Sequence, residues 1–182
     1  MNEKLAIITH GLPLSGKSSL ADYLAKRLDL PFFESGPFLK EKLGTERLKS
    51  INSGGLARVD DFNRLVIPEL SKFLTANNGF VAAGTSRKIE EAKSIIELVR
   101  TFSAKLIVIQ LEVTLEELEN RRLQRQKKEG RLDDDSESFQ RRLRRYNQET
   151  VEVIEFYHQL DCLIKIDGNQ TQVKTHRDAY RR

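Results

Sequence analysis

The chain has 182 residues, 38% of them hydrophobic and 32% charged, with a net charge of +4 from 31 Lys and Arg against 27 Asp and Glu. That length fits one domain, the composition excludes disorder as the native state, and no apolar run approaches the ~20 residues of a membrane span. Cys162 is the only cysteine, which excludes an intrachain disulfide and a cysteine-clustered zinc site and leaves oxygen to hold any metal.

Near the start, LAIITH is too brief for a signal-peptide core, which predicts a cytoplasmic protein without membrane attachment. The apolar run Leu5–Thr9 reads as a buried strand that ends in a Gly-rich turn. Lys17–Leu28 then reads as a helix, with Leu20, Tyr23, Leu24 and Leu28 at helical spacing. Pro31–Phe33 predicts a short strand, Gly36–Leu43 a helix, and Val59–Ala76 a longer helix whose stripe is Phe62, Leu65, Val66, Leu70, Phe73 and Leu74. Asn77-Asn78-Gly79 is expected to end it through a left-handed cap. Phe80–Ala83 is the next strand, Ile89–Val99 a helix, and Lys105–Val113 the most apolar strand, as expected where both faces of a parallel sheet are covered. Thr114 and Glu117 have the spacing of a capping box opening a helix towards Gln126. Gly130 breaks that pattern, and a second long helix fits Ser136–Gln159, with Phe139, Leu143, Tyr146, Thr150, Val153, Ile154 and Tyr157 recurring at three and four residues. Leu163–Ile166 is the last strand, followed by a turn at Asp167-Gly168 and a short helix. Strands alternating with helices predict an α/β fold, a doubly wound five-stranded parallel sheet with helices on both faces. Ligands of such sheets bind beyond the carboxyl ends of the strands, where Gly11–Ser18, Glu34 and Gly84–Arg87 fall.

GLPLSGKS at Gly11–Ser18 matches G-x-x-x-x-G-K-[ST] between a predicted strand and a predicted helix. In that context the backbone N–H groups of the loop turn inward around phosphate oxygens and the helix N-terminus adds its positive end. Gly11, Pro13, Leu14, Ser15, Gly16, Lys17, Ser18 and Ser19 are the candidate ATP contacts, with Lys17 at the β- and γ-phosphates and the Ser18 hydroxyl as a Mg²⁺ ligand. Charge is also uneven. Residues 121–145 carry ten Arg or Lys against five Asp or Glu, a local +5, leaving −1 for the rest. With Phe139 as the one aromatic side chain in that segment, a small polyanion fits better than nucleic acid. A solvated helical face is the alternative reading of such a run.

With these motifs in order, the chain resembles the adenylate kinase family of P-loop nucleoside monophosphate kinases over nearly its whole length. ESGPFLK at Glu34–Lys40 is similar to the family's S-T-G-D-x-x-R segment, which implies Ser35 and Gly36 near the acceptor base and Lys40 at the acceptor phosphate. SGGLAR at Ser53–Arg58, with Leu56 and Arg58, resembles the G-x-L-V-P turn. AGTSRKIEEA at Ala83–Ala92 resembles D-G-F-P-R-t-x-x-Q-A and keeps Arg87 beside Gly84, with Glu91 at the base-reading position. RRLQRQKKEGRLDDDSESFQRRL resembles a short, zinc-free lid with Arg121, Arg125, Arg131, Asp133, Asp134 and Arg142 in register. The resemblance implies a single kinase domain over 1–182, with a monophosphate-binding segment at 34–76 and a lid at 121–142. It implies a monomer that transfers the γ-phosphoryl group of Mg·ATP to a nucleoside monophosphate, AMP first and GMP as the alternative. Catalysis would fall to Lys17, Arg87, Arg125, Arg131 and Arg142, which surround the transferring charge, with Arg121 and Arg125 on ATP and Asp133 and Asp134 organising the lid.

Departures from the pattern are local. Ala83 stands where the family's aspartate helps hold the Mg²⁺ hydration shell, and Pro37 stands at a second aspartate. Glu91 replaces the base-reading Gln, and Ser35 a Thr; an ionised Glu accepts only, which suits the N1–H and N2–H₂ donors of guanine. Glu34, at the end of the second strand, reads first as a surface residue, with metal ligand or general base towards a hydroxyl acceptor as the functional alternatives. His10, His158 and His176 share no ligand spacing and read as structural or exposed. Two other functions fit parts of the pattern: a small-metabolite hydroxyl kinase of the shikimate or gluconate type, and a nucleotide-binding module weakened by loss of the acid at position 83.

Overall fold

A computed structural model of the chain describes residues 3–43, 58–129 and 136–182. Leu56, Gly130, Arg131, Asp133 and Asp134 lie outside the described residues. Five strands, β1 (Leu5–Gly11), β2 (Phe32–Glu34), β3 (Gly79–Ala83), β4 (Lys105–Glu112) and β5 (Leu163–Asp167), form one sheet in the order β2-β3-β1-β4-β5. Every pairing is parallel. The second strand lies one residue later than the sequence suggests, so Glu34 belongs to it. Helices α1 (Lys17–Leu28), α2 (Ser35–Lys42), α4 (Ile89–Thr101), α5 (Leu115–Glu129) and α7 (Gln172–Tyr180) are regular.

Two long helices are interrupted rather than uniform. In α3, Val59–Asp61 passes through a π-helical turn at Phe62–Val66 into Ile67–Ala76. In α6, Ser136–Arg145 passes through Tyr146–Thr150 into Val151–Gln159. A wider turn rotates the face a helix presents. Residues of α6 before the π turn, Phe139 and Leu143, pack with Leu118, Leu12 and Leu14, while Val153 and Tyr157 after it enter the large core. Periodicity alone showed one stripe because both faces are apolar. Two smaller expectations also change. Asn77 ends α3 in an extended conformation (φ −132°, ψ 176°), not a left-handed one. The capping box is half made: Glu117 N–H donates to Thr114 Oγ1 at 3.3 Å, but Thr114 N–H donates to Asn169 Oδ1 at 2.9 Å, because the Glu117 carboxylate accepts from Arg121 Nε at 2.8 Å.

Strand alternation divides the core. Ala6, Ile8, Phe33, Phe80, Ala82 and Val108 face α3, α4 and α6, where Phe62, Val66, Leu70, Leu74, Ile95 and Tyr157 are buried. Ile7, Val81, Ala83, Ile109, Leu111 and Ile166 face Leu20, Ala21 and Leu24 of α1 and Ala179 of α7. Each fully buried Leu, Ile or Phe contributes about 1.5–3 kcal/mol. The small third cluster under Leu12 and Leu14 matters for position: it seats the Gly-rich turn on α5 and α6.

Candidate active site

β1 leads straight into the Gly-rich turn, and the turn into α1. Gly11 (φ +151°), Leu14 (φ +69°) and Gly16 (φ +96°) have positive φ, and Ser15 N–H donates to Leu12 O at 3.1 Å. A side chain at Gly11 would collide with that of Ser15, so glycine is required there sterically as well as conformationally. Thr9 Oγ1 donates to Lys17 O at 3.0 Å and fixes where the helix starts. The Lys17 ammonium folds back over the loop and donates to Leu12 O at 3.2 Å. Pro13 and Ser15 are buried, and the Ser15 hydroxyl has no hydrogen-bond partner among the described residues.

Four cations from four elements converge on this turn. Lys17 is pushed down to about 7 from an ordinary 10.5 by burial of its ammonium group and by Arg87, Arg142 and Arg125, against the pull of Glu34. Arg87 is lowered too, first by burial, with Arg142 opposing its charge and Glu91 and Glu34 supporting it. A buried lysine crowded by like charges fits a site built for a polyanion. Arg125 comes from α5 and Arg142 from α6, so these two residues of the basic segment act on the turn.

Arg87 is held by its neighbours in the chain. Its Nε donates to Gly84 O at 3.0 Å, and the Ser35 hydroxyl donates to the same carbonyl. Gly84 has φ +66°, a backbone conformation that favours glycine, and a Cβ there would lie 2.8 Å from Arg87 Nη2 and push the guanidinium aside. Glu91, only 4% exposed, accepts the Arg87 backbone N–H at 2.7 Å. Burial raises its pKa, and the backbone N–H groups of Arg87 and Lys88 oppose that. It therefore caps the first turn of α4, with one carboxylate oxygen committed to the backbone.

Other candidates lie elsewhere. Arg121 points at the outside of the turn, donating from Nη1 to Ser15 O (3.1 Å) and Leu14 O (3.4 Å) and from Nη2 to Gly168 O (2.6 Å). The Ser19 hydroxyl is engaged by Gln172 and lies 3.4 Å from His176 Nε2, which docks α7. Lys40 and Arg58 are exposed, and Gly36 has open space where a side chain would sit. Ser18 Oγ donates to Glu34 Oε1 at 2.6 Å.

One polar group escaped the sequence reading. His10, 3% exposed, puts Nε2 3.2 Å from Ser86 Oγ, which also accepts the Tyr157 hydroxyl at 2.9 Å. Ser86 has φ +49° and immediately precedes Arg87. The partners are 76 and 71 residues apart, so no local pattern announces them. Burial, then Arg87 and Lys17, hold the imidazole neutral, at about 3 instead of 6.5. An unfolded chain protonates His10 below pH 6.5 and the native one only near 3, so stability is lost as pH falls through that window. Replacing His10→Leu should remove this loss. Relative to wild type the variant gains about 2–3 kcal/mol between pH 7.5 and 4.5 in urea unfolding, from ~1.4 kcal/mol per unit over two units; parallel pH profiles would show that His10 titrates normally.

The adenylate kinase family model matches residues 9–162. The chain belongs to the adenylate kinase family. It is 32% identical over 169 residues to the adenylate kinase of Leptospira biflexa serovar Patoc, covering 89% of this chain and 90% of that protein. It is 32% identical over 160 residues to that of Mycobacterium ulcerans (84% and 86%) and 30% identical over 176 residues to that of Stenotrophomonas maltophilia (90% and 91%). As a member of the adenylate kinase family the protein is an ATP-dependent nucleoside monophosphate kinase, a phosphotransferase on a P-loop fold. Among the described residues no helix is long and apolar enough to cross a membrane.

Proposed function

We propose that the protein transfers the γ-phosphoryl group of ATP to AMP, as a cytoplasmic monomer with Mg²⁺ as cofactor. The observation that carries this reading is the convergence of Lys17, Arg87, Arg125 and Arg142 on the Gly11–Ser18 turn, a concentration of positive charge that suits a bound polyphosphate. An acceptor phosphate oxygen forms the new bond to the γ-phosphorus while the bond to the β–γ bridging oxygen breaks, and two ADP result. Little covalent work falls to the protein, so positioning and charge stabilisation are its contribution. Lys17 and the turn from Gly11 to Ser19 hold the donor, Arg87 bridges donor and acceptor, and Arg125, Arg131 and Arg142 close from the 121–142 lid, organised by Asp133 and Asp134. The 34–76 segment, with Ser35, Gly36, Lys40, Leu56 and Arg58, receives the monophosphate together with Gly84. Arg121 acts by bracing the turn rather than by touching phosphate.

The donor set suits Mg²⁺. Ser18 Oγ and a Glu34 carboxylate oxygen lie 2.6 Å apart, both hard oxygen donors. Among the described residues no group of three or more His, Cys, Asp or Glu is gathered for a metal, so phosphate and water would complete the shell, as is usual for this ion. Bound there, Mg²⁺ would draw charge from the donor phosphates.

AMP is favoured over GMP because Glu91 already accepts the Arg87 N–H and does not offer two free oxygens to a guanine edge. Incubation with Mg·ATP and AMP, GMP, CMP, UMP, shikimate or gluconate, followed by nucleotide chromatography, should give ADP with AMP above all. A cap needs only an acceptor, so Glu91→Gln should leave the AMP-to-GMP ratio of kcat/KM within about threefold. A shift of tenfold or more would place Glu91 at the base instead.

A further inference from the structure

The acid that the family carries at the end of β3 is missing here, and the fold places another acid beside its position. Ala83 is the last residue of β3, fully buried against α1. In the β2–β3 pairing its partner is Glu34. Side chains of adjacent residues on a strand point to opposite faces, and laterally paired residues point to the same one. Phe33 enters the core under α3 and α4, so Glu34 faces α1, as Ala83 does. The residue of α1 that it meets is Ser18, whose hydroxyl donates to Glu34 Oε1 at 2.6 Å. The chain thus keeps a carboxylate at the carboxyl edge of the sheet, on the α1 face, one strand over. The second aspartate of the family pattern is Pro37, exposed on α2, so nothing at that position restores the charge.

We infer that Glu34 is the carboxylate of the Mg²⁺ shell in this enzyme, transferred from β3 to β2. The inference rests on the kinase reading above and goes beyond it by assigning the acid. Two features favour the metal over the general-base role. Glu34 touches the hydroxyl that the phosphate-loop motif assigns to the ion, and phosphate acceptors carry no hydroxyl proton to remove. In the absence of the ion the Ser18–Glu34 hydrogen bond keeps both oxygens oriented towards the same space.

The test separates metal binding from turnover. ATP affinity is measured calorimetrically with EDTA, with Mg²⁺ and with Mn²⁺, and bound Mn²⁺ is counted by electron paramagnetic resonance in wild type, Glu34→Gln and Glu34→Gln/Ala83→Asp. In wild type the metal should strengthen ATP binding. Glu34→Gln should leave metal-free ATP affinity equal or tighter, since a negative charge near the phosphates is gone, and should cut the metal-dependent gain at least tenfold. Adding Ala83→Asp, which returns the acid to β3, should recover most of that gain. Unchanged metal coupling in Glu34→Gln would overturn the assignment, as would turnover lost with coupling intact, which marks a base. Metal-free ATP binding by the variant reports that it folds. Failure of the wild-type protein to bind ATP at all would overturn the kinase reading itself, a different result from unchanged coupling.

Discussion

Lys17→Ala is expected to lower kcat by at least a thousandfold, about 4 kcal/mol of barrier, and at the same time to leave the fold as stable as wild type or more so. The two halves of that expectation come from one fact. In the free protein the Lys17 ammonium sits among Arg87, Arg142 and Arg125 and is held near 7. An unfolded chain would keep its proton up to about 10.5, so the native state is disfavoured by this group at every pH below that, most fully below 7. Removing it relieves like-charge repulsion and forfeits one bond to Leu12 O. A polyphosphate reverses the balance, because the charged lysine then has its counterion. Affinity of the wild type for ATP should consequently weaken as pH rises from 7 to 9, where binding must first restore the proton. Steady-state kinetics, urea unfolding and calorimetry at several pH values check each part. Near-normal turnover would remove Lys17 from the phosphate site, and marked destabilisation would reduce it to a strut for the loop.

Arg87→Lys should cost at least a hundredfold in kcat, about 2.7 kcal/mol, although it conserves charge. The guanidinium is fixed by its Nε bond to Gly84 O and by packing on Gly84, a carbonyl that the Ser35 hydroxyl also engages. An ammonium has neither the planar fork nor the reach to bridge two phosphates from that seat. A second measurement distinguishes this role from general damage. Since Arg87 is the largest like-charge influence on Lys17, Arg87→Gln should move the Lys17 titration upward, shifting the alkaline weakening of ATP binding to higher pH. A hundredfold loss in kcat with an unmoved pH profile would mean that the variant disturbs the site without having belonged to it.

How far the sequence could be read follows from the range of the interactions involved. The strands, the helices and the Gly11–Ser18 turn depend on neighbours a few residues away, and periodicity, glycine placement and the order Gly-Lys-Ser expose such interactions directly. The four-cation site was legible in part for a different reason, since Lys17, Arg87, Arg125 and Arg142 each lie in a segment that resembles a family motif. The π turns in α3 and α6 were not legible, because apolar residues line both faces they join. Nor was the role of Arg121, whose acceptors Ser15 O, Leu14 O and Gly168 O are backbone atoms of distant segments. Glu91 reads as a specificity residue, and its contact with the Arg87 backbone N–H was not legible, because it depends on which way a side chain at the third position of α4 turns. His10, Ser86 and Tyr157 meet only because β1 lies beside β3 and α6 packs on the face that His10 shares. The same dependence governs the acid beside the phosphate turn: composition alone supplies Glu34 and removes the acid at position 83, while the parallel pairing of β2 with β3 sets the one against the other. Local chemistry fixes which side chains exist in each element, but strand order and register, decided by burying two apolar faces at once, determine which of them can touch.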